Sequence, residues 1–143
     1  MHGTRSGVTL PELLIALSLI GVLITLALPT VRDGLNALAA RAARETAFVI
    51  FSRARVIALQ NGGATVEVDT RRDVMMIRVA DGTVQHVQHF SNTDLILEGN
   101  DATAALRYDA HGLGRMMSRT IWFRSSRAQA GLTVSSFGRV RKW

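Results

Sequence analysis

The sequence contains no cysteine, only two prolines and a single lysine, and it has no acidic residue after Asp109. Without cysteine, no disulfide can stabilise the fold and no thiolate can act as a nucleophile. The absence of cysteine is compatible with any cellular compartment. The sequence also has no Gly-x-Ser-x-Gly motif and no phosphate-binding loop. These absences argue against an enzyme, and no cofactor or small-molecule substrate is expected.

The histidines do not form a metal-binding pattern. His86 and His89 are three residues apart, which places them on opposite faces of a strand. His111 falls in a glycine-rich turn with Asp109, and a surface turn is the simpler interpretation of that pair. The sequence therefore predicts no metal site.

The most pronounced feature is an uncharged run near the N-terminus, at residues 13–31. As a helix rising about 1.5 Å per residue, this run is close to the ~30 Å thickness of a bilayer's hydrocarbon core. Glu12 lies at its outer end, and a carboxylate beside a membrane segment is costly unless it is paired. A secretory signal or a plain anchor is the alternative, but the run exceeds the usual length of about 7–15 residues and no Ala-x-Ala site follows it.

The segment Gly7-Val8-Thr9-Leu10-Pro11-Glu12-Leu13-Leu14 resembles the N-terminal motif of type IV prepilins and type II secretion pseudopilins. The resemblance implies that prepilin peptidase removes a leader, residues 1–7, by cutting after Gly7, and that Val8 is then N-methylated. It also implies that Glu12 guides docking of a new subunit by pairing with the new amino group. The alternative is that Glu12 merely lies in the headgroup layer. Pro29 corresponds to a proline that often kinks the helix in this family.

One long helix is predicted from residue 12 to residue 61, with a disturbance between Pro29 and Gly34 and an end at Asn61-Gly62-Gly63. Residues 8–31 form its membrane-spanning half and residues 32–61 its amphipathic half. At 100° per residue, one face of the second half is apolar and is expected to pack on a sheet: Ala43, Ala47, Ile50, Phe51, Ala54, Ile57 and Ala58. Four further apolar residues lie off this face, as contact with neighbouring subunits would require: Phe48, Val49, Val56 and Leu59.

Residues 62–137 are typical of a small antiparallel β head. Seven strands are predicted, at 64–69, 73–79, 83–89, 94–98, 105–109, 120–124 and 132–137. They are separated by turn signals such as Asp81-Gly82 and Gly99-Asn100-Asp101. The fold class is therefore α+β, with a long N-terminal helix packed on the head.

The order of motifs in the head resembles the FimT/GspH family of minor pilins and pseudopilins. The motifs are Tyr108-Asp109-x-x-Gly112, Ile121-Trp122-Phe123, Leu132-Thr133-Val134-Ser135 and Gly138-Arg139-Val140-Arg141. The resemblance implies a pilin-like fold, in which a long N-terminal helix carries a head of two small antiparallel sheets.

The charge is distributed unevenly. Residues 61–114 contain eight acids and four bases, whereas residues 115–143 contain seven bases and no acid. This asymmetry indicates an anionic partner, and a solvated basic surface without a ligand is the alternative. Residues 138–143 form the predicted basic tail, whose candidate DNA-binding residues are Arg139, Arg141, Lys142 and Trp143. Four more could extend the patch: Arg115, Arg119, Arg124 and Arg127.

In an extended tail, Arg139 and Arg141 point the same way, about 7 Å apart, near the spacing of successive phosphates. The Gly-Arg-x-Arg ending resembles the FimT branch, which implies binding of double-stranded DNA in natural transformation. Such binding would be driven by phosphates and sensitive to salt. The alternatives are cations that hold the fibre together or touch anionic lipid, and a GspH-type pseudopilin of a type II secretion system without DNA binding.

Both interpretations share their location and most of their partners. The chain is expected to span the inner membrane once, with its head in the periplasm, and then to enter a pilus or pseudopilus. The expected partners are prepilin peptidase and other pilin or pseudopilin subunits.

Overall fold

The computed structural model describes residues 7–99 and 101–143. The chain divides into two compact units, Met1–Gly34 and Leu35–Trp143. The first six residues of the predicted leader and Asn100 of the predicted turn lie outside the described residues. In the described part of the chain, one helix and eight strands are present.

Helix α1 comprises Leu10–Asn61, beginning two residues before the predicted start and ending where the sequence predicted. At its start, the main-chain N–H of Thr9 faces the Glu12 carboxylate at 3.5 Å, the arrangement of a Thr-x-x-Glu capping box. Helix α1 continues through Pro29 and Gly34 without a break, because one proline removes a single main-chain hydrogen bond. A kink at Pro29 stays a prediction.

In the first unit, the apolar residues of α1 are exposed along the whole uncharged run. By length and composition, α1 is the one described helix that could cross a membrane. Its most apolar stretch has a mean hydropathy of 2.5 and is not buried within the protein.

The second unit contains the remainder of α1 and two four-stranded antiparallel sheets. The strands are β1 (Gly63–Asp69), β2 (Val74–Val79), β3 (Val84–His89), β4 (Asp94–Leu97), β5 (Thr103–Asp109), β6 (Arg119–Ser125), β7 (Ala128–Val134) and β8 (Val140–Lys142). The strand order is β3-β2-β1-β5 in the first sheet and β4-β6-β7-β8 in the second. The predicted α+β class is confirmed.

The core of this unit lies between α1 and the inner faces of the sheets. All seven helix residues of the predicted face are buried, together with Ala40. They pack with alternate strand residues such as Val66, Leu106 and Phe123. Off this face, Val49, Val56 and Leu59 are more than half exposed, as predicted, whereas Phe48 is partly buried and packs against the core. The helical period alone therefore identified the buried face correctly.

Two predictions about the C-terminal part need correction. The last predicted strand, at 132–137, is β7, which starts earlier at Ala128 and ends at Val134. Residues 138–143 are not a separate tail, because Val140–Lys142 form β8, paired with Leu132–Val134 at the edge of the second sheet. The main-chain hydrogen bonds to β7 hold this basic segment in place.

Candidate functional site

The basic C-terminal segment folds back through a tight turn between β7 and β8. The Gly138 N–H donates to the Ser135 carbonyl at 2.8 Å, and the Ser135 N–H donates to the Arg139 carbonyl at 2.9 Å. The Arg139 N–H also donates to the Ser135 hydroxyl at 3.0 Å. Gly138 has a φ of 80°, a conformation that glycine adopts at little cost. The turn therefore fixes where Arg139 begins its path along the sheet edge.

Strand alternation then sorts the side chains of this segment onto two faces. Arg141 pairs with the half-buried Thr133, while Lys142 pairs with the fully buried Leu132. Val140 packs against the core, so Val140 and Lys142 point inward. Arg139, Arg141 and Trp143 are exposed on the outer face. The predicted common orientation of the two arginines agrees with this register.

The Lys142 side chain contacts helix α1. Its Nζ lies 2.7 Å from Glu45 Oε2 and 4.4 Å from the centre of the Phe48 ring. The hydrogen bond from Lys142, followed by one from Arg44, lowers the pKa of Glu45 below its ordinary value of 4.5. The sequence grouped Lys142 with Arg139 and Arg141 as candidate DNA-binding residues, but in the structure Lys142 lies on the other face of β8 and contacts α1.

Trp143 is fixed on the outer face by four contacts, the first of which is the hydrogen bond from its main-chain N–H to the Gly131 carbonyl at 2.9 Å. Its Nε1 donates to Thr133 Oγ1 at 2.9 Å, and its main-chain carbonyl accepts a hydrogen bond from Arg44 Nη1 at 2.6 Å. The Arg141 guanidinium lies 5.4 Å from the ring centre, within cation–π distance. Trp143 as a whole residue nevertheless remains 62% exposed.

A groove of about 550 Å³ opens beside this indole. It is lined by Thr133, Ser135, Arg139, Val140, Arg141 and Trp143. The groove therefore combines two guanidinium groups, two hydroxyls and one aromatic ring. Such a set can hold a phosphate and a flat apolar ring at the same time.

Trp122 adds a second indole to the same face, and the sequence analysis did not identify it as a site residue. Trp122 pairs with Gly131 on β7, and a Cβ atom on Gly131 would lie 2.7 Å from its ring. The missing side chain at Gly131 thus lets the indole lie flat on the sheet. The alternation of Thr120, Trp122 and Arg124 with buried Ile121 and Phe123 was the available signal.

The other candidate arginines fall into two groups. Arg115 Nε lies 3.0 Å from Asp109 Oδ2, and Arg119 Nη1 lies 2.6 Å from Asp101 Oδ2. The Arg115 contact is the main cause that lowers the pKa of Asp109. Each of these two arginines therefore has a carboxylate partner.

Arg124 and Arg127 belong to the second group, and both are exposed. Arg124 lies on the outer face of β6 opposite Asp94. Thr120 on β6 pairs with Thr133 on β7, which in turn pairs with Arg141 on β8. Arg124 is four residues further along β6 than Thr120, so about 13 Å separates Arg124 from the row that contains Arg141. Arg127 lies in the β6–β7 turn. Neither residue reaches the groove.

No metal site is visible in the described part of the chain, where no group of three or more suitable side chains comes together. The His111 main-chain N–H donates to Asp109 Oδ1 at 2.9 Å, as part of the turn predicted there.

Near the N-terminus, Gly7 and Val8 are exposed and precede helix α1. The peptide bond between these two residues is therefore accessible.

A long N-terminal helix that packs on two small antiparallel sheets is the pilin fold. The chain resembles the crystal structure of the Pseudomonas aeruginosa type IV minor pilin FimU, with a TM-score of 0.57 and 16% identity. The similarity covers 72% of this chain and 91% of that chain. No protein-family model matches the chain. No curated protein sequence matches it at a significant level either.

Proposed function

We propose that the protein is a non-enzymatic minor pilin that is held in the inner membrane and then assembled into a type IV pilus. The pilin fold carries this proposal, together with an apolar N-terminal segment, residues 8–31, that the protein itself does not bury. An exposed run of this kind is stable only in lipid or among other apolar helices. The membrane supplies the first environment, and a bundle of pilin subunits in the fibre supplies the second.

Prepilin peptidase is the proposed processing enzyme, and the bond between Gly7 and Val8 is its target. The accessibility of this bond, next to the Glu12 motif, supports the assignment. Cleavage creates an amino group at Val8, which is then N-methylated. The head faces the periplasm before assembly.

Glu12 is proposed to guide docking through its charge. Capping of the Thr9 N–H is the competing role, since the carboxylate lies 3.5 Å away. Glutamine can cap as glutamate does but carries no charge. We therefore expect both Glu12→Ala and Glu12→Gln to stop incorporation into pili, while membrane insertion is unchanged. If Glu12→Gln enters pili normally, the charge is not what matters.

The head is proposed to bind DNA through Arg139 and Arg141. Their freedom supports this role: within residues 7–99 and 101–143, neither forms an ion pair, whereas Lys142, Arg115 and Arg119 do. Guanidinium groups suit phosphate oxygens, and nothing in the groove selects one base. Double-stranded DNA taken up in natural transformation is the proposed ligand.

Fluorescence anisotropy tests this binding, with the full chain in nonionic detergent and a labelled DNA duplex at two salt concentrations. We expect Arg139→Gln combined with Arg141→Gln to abolish most binding and to reduce the salt slope by about 2, one for each lost phosphate contact. Arg53→Gln combined with Arg71→Gln is the matched control, because both residues are exposed, form no ion pair within the described residues and do not line the groove. This control should retain wild-type affinity.

A type II secretion pseudopilin without DNA binding is the alternative function. It predicts that the wild-type protein does not bind the duplex even at low salt. Equal losses in both double variants would also contradict the proposal, because net charge alone would then explain the affinity.

A further inference from the structure

We infer that the groove beside Trp143 receives an unpaired base, so that DNA with single-stranded segments binds more tightly than fully paired duplex. This inference rests on the proposed function, since Arg139 and Arg141 are the same phosphate contacts. It adds a second recognition element, the Trp143 indole, which strengthens binding wherever the DNA has an unpaired base.

The first support is the composition of the groove. Trp143 and Arg141 are two residues apart on the outer face, and Arg139 is two residues further, with about 7 Å between successive positions. An aromatic ring followed by two cations matches a nucleotide, which has a flat base at one end and a phosphate at the other. The groove volume of about 550 Å³ leaves room for one base with its sugar and phosphate.

The second support is the fixed orientation of the indole. The hydrogen bond to Thr133 holds the polar edge of the ring, and Arg44 holds its main chain. Arg141 lies against the ring, yet Trp143 as a whole stays 62% exposed. An exposed and immobilised ring loses little conformational freedom on stacking, which favours binding.

A fully paired duplex cannot use this ring. Its bases are stacked on each other inside the helix, and it presents phosphates to an outer surface such as this sheet. Trp143 would then lie against charged groups without a stacking partner. An unpaired strand can splay one base onto the indole while its phosphates reach the arginines.

The experiment compares three labelled probes of equal strand length with the full chain in nonionic detergent. They are an oligothymidine, a blunt duplex and a duplex with a single-stranded overhang, at about 50 and 200 mM salt. We expect the oligothymidine and the overhang to bind about tenfold more tightly than the blunt duplex. Quenching of tryptophan fluorescence should accompany binding of the first two probes.

Trp143→Leu is the test variant, and we expect about tenfold weaker binding of the oligothymidine with less than a twofold change for the blunt duplex. Trp143→Phe keeps an aromatic ring and should retain most of the affinity. Phe137→Leu is the matched control, since this aromatic residue is 77% exposed in the adjacent turn but does not line the groove. Circular dichroism confirms that each variant is folded.

The outcomes separate the two proposals. If the wild-type protein binds none of the probes, both the proposed DNA binding and the stacking role of Trp143 are wrong. If all probes bind equally, or Trp143→Leu weakens all of them alike while Arg139→Gln with Arg141→Gln still abolishes binding, only the stacking role is overturned. Tighter binding of the blunt duplex overturns it as well.

Discussion

Tyr108 and Gly138 are packed so closely that a Cβ atom on Gly138 would lie 2.5 Å from Cε1 of the tyrosine ring. The Tyr108 hydroxyl donates to the Gly138 carbonyl at 3.4 Å. Tyr108 is buried near the end of β5 in the first sheet. Gly138 lies in the turn between β7 and β8, two residues before β8 starts in the second sheet. This contact therefore links the two sheets just before Arg139.

Gly138→Ala is expected to destabilise the head by about 2 kcal/mol or more, from the positive φ and the clash with Tyr108 together. Gly82→Ala is the matched control, because Gly82 has a similar φ of 90° but open space around it. Its cost should be the smaller one, about 1 kcal/mol. Urea unfolding followed by fluorescence gives both values, and equal costs would show that the Tyr108 contact is unimportant.

Tyr108 is the chain's single tyrosine, so its ionisation can be followed by ultraviolet absorbance. Burial raises the pKa of the Tyr108 hydroxyl to about 12. The folded state thus holds the proton more tightly than the unfolded state, in which the pKa is about 10. Stability should fall as the pH rises above about 10, and a titration midpoint near 10 in the folded protein would contradict the burial of this ring.

Phe51→Ala should cost about 3–5 kcal/mol, because Phe51 is 1% exposed on the helix face that covers the core. Val49→Ala, two residues away and 61% exposed, should change the free energy of unfolding by less than about 0.5 kcal/mol. Chemical unfolding of the two variants measures this contrast. Similar costs would mean that the buried face has been assigned incorrectly.

Glu45 should make the attachment of β8 to α1 dependent on pH. Its pKa lies below the ordinary value of 4.5, with the Lys142 hydrogen bond as the main cause. The pair therefore stabilises the fold above about pH 4.5 and stops doing so as the pH falls through the lowered pKa. Glu45→Gln should melt below wild type at neutral pH, and the difference should shrink as the pH falls below 4.5 and through the lowered pKa of Glu45. A difference that persists in acid would exclude the charge as its source.

Much of the fold was predictable because it depends on local periods. The buried helix face follows from the repeat of 3.6 residues, and the hairpin at Gly82 follows from Asp81-Gly82. The start of β7 was missed because Ala128-Gln129-Ala130-Gly131 contains no β-branched or aromatic residue. Pairing with β6 extends the strand there, and Gly131 accommodates Trp122.

The candidate site was predictable only in part. Arg139, Arg141 and Trp143 were identified from the basic C-terminal sequence, and alternation along β8 puts all three on the outer face. Lys142 was grouped with them because it is adjacent in sequence, yet adjacent strand residues point to opposite faces. The anchoring of Trp143 by Thr133 and Arg44 could not be foreseen, since it requires the β7–β8 pairing.

By itself, the sequence determined the apolar segment, the motif around Glu12, the extent of the helix and its buried face, since each depends on neighbouring residues in one element. The tertiary structure decided which cations remain free to bind a ligand. Glu45 and Lys142 are 97 residues apart, and Asp101 and Arg119 are 18 apart, so their pairing arises only when the chain folds. Arg139 and Arg141 are distinguished by two properties together: they form no ion pair within the described residues, and they line the same groove as Trp143.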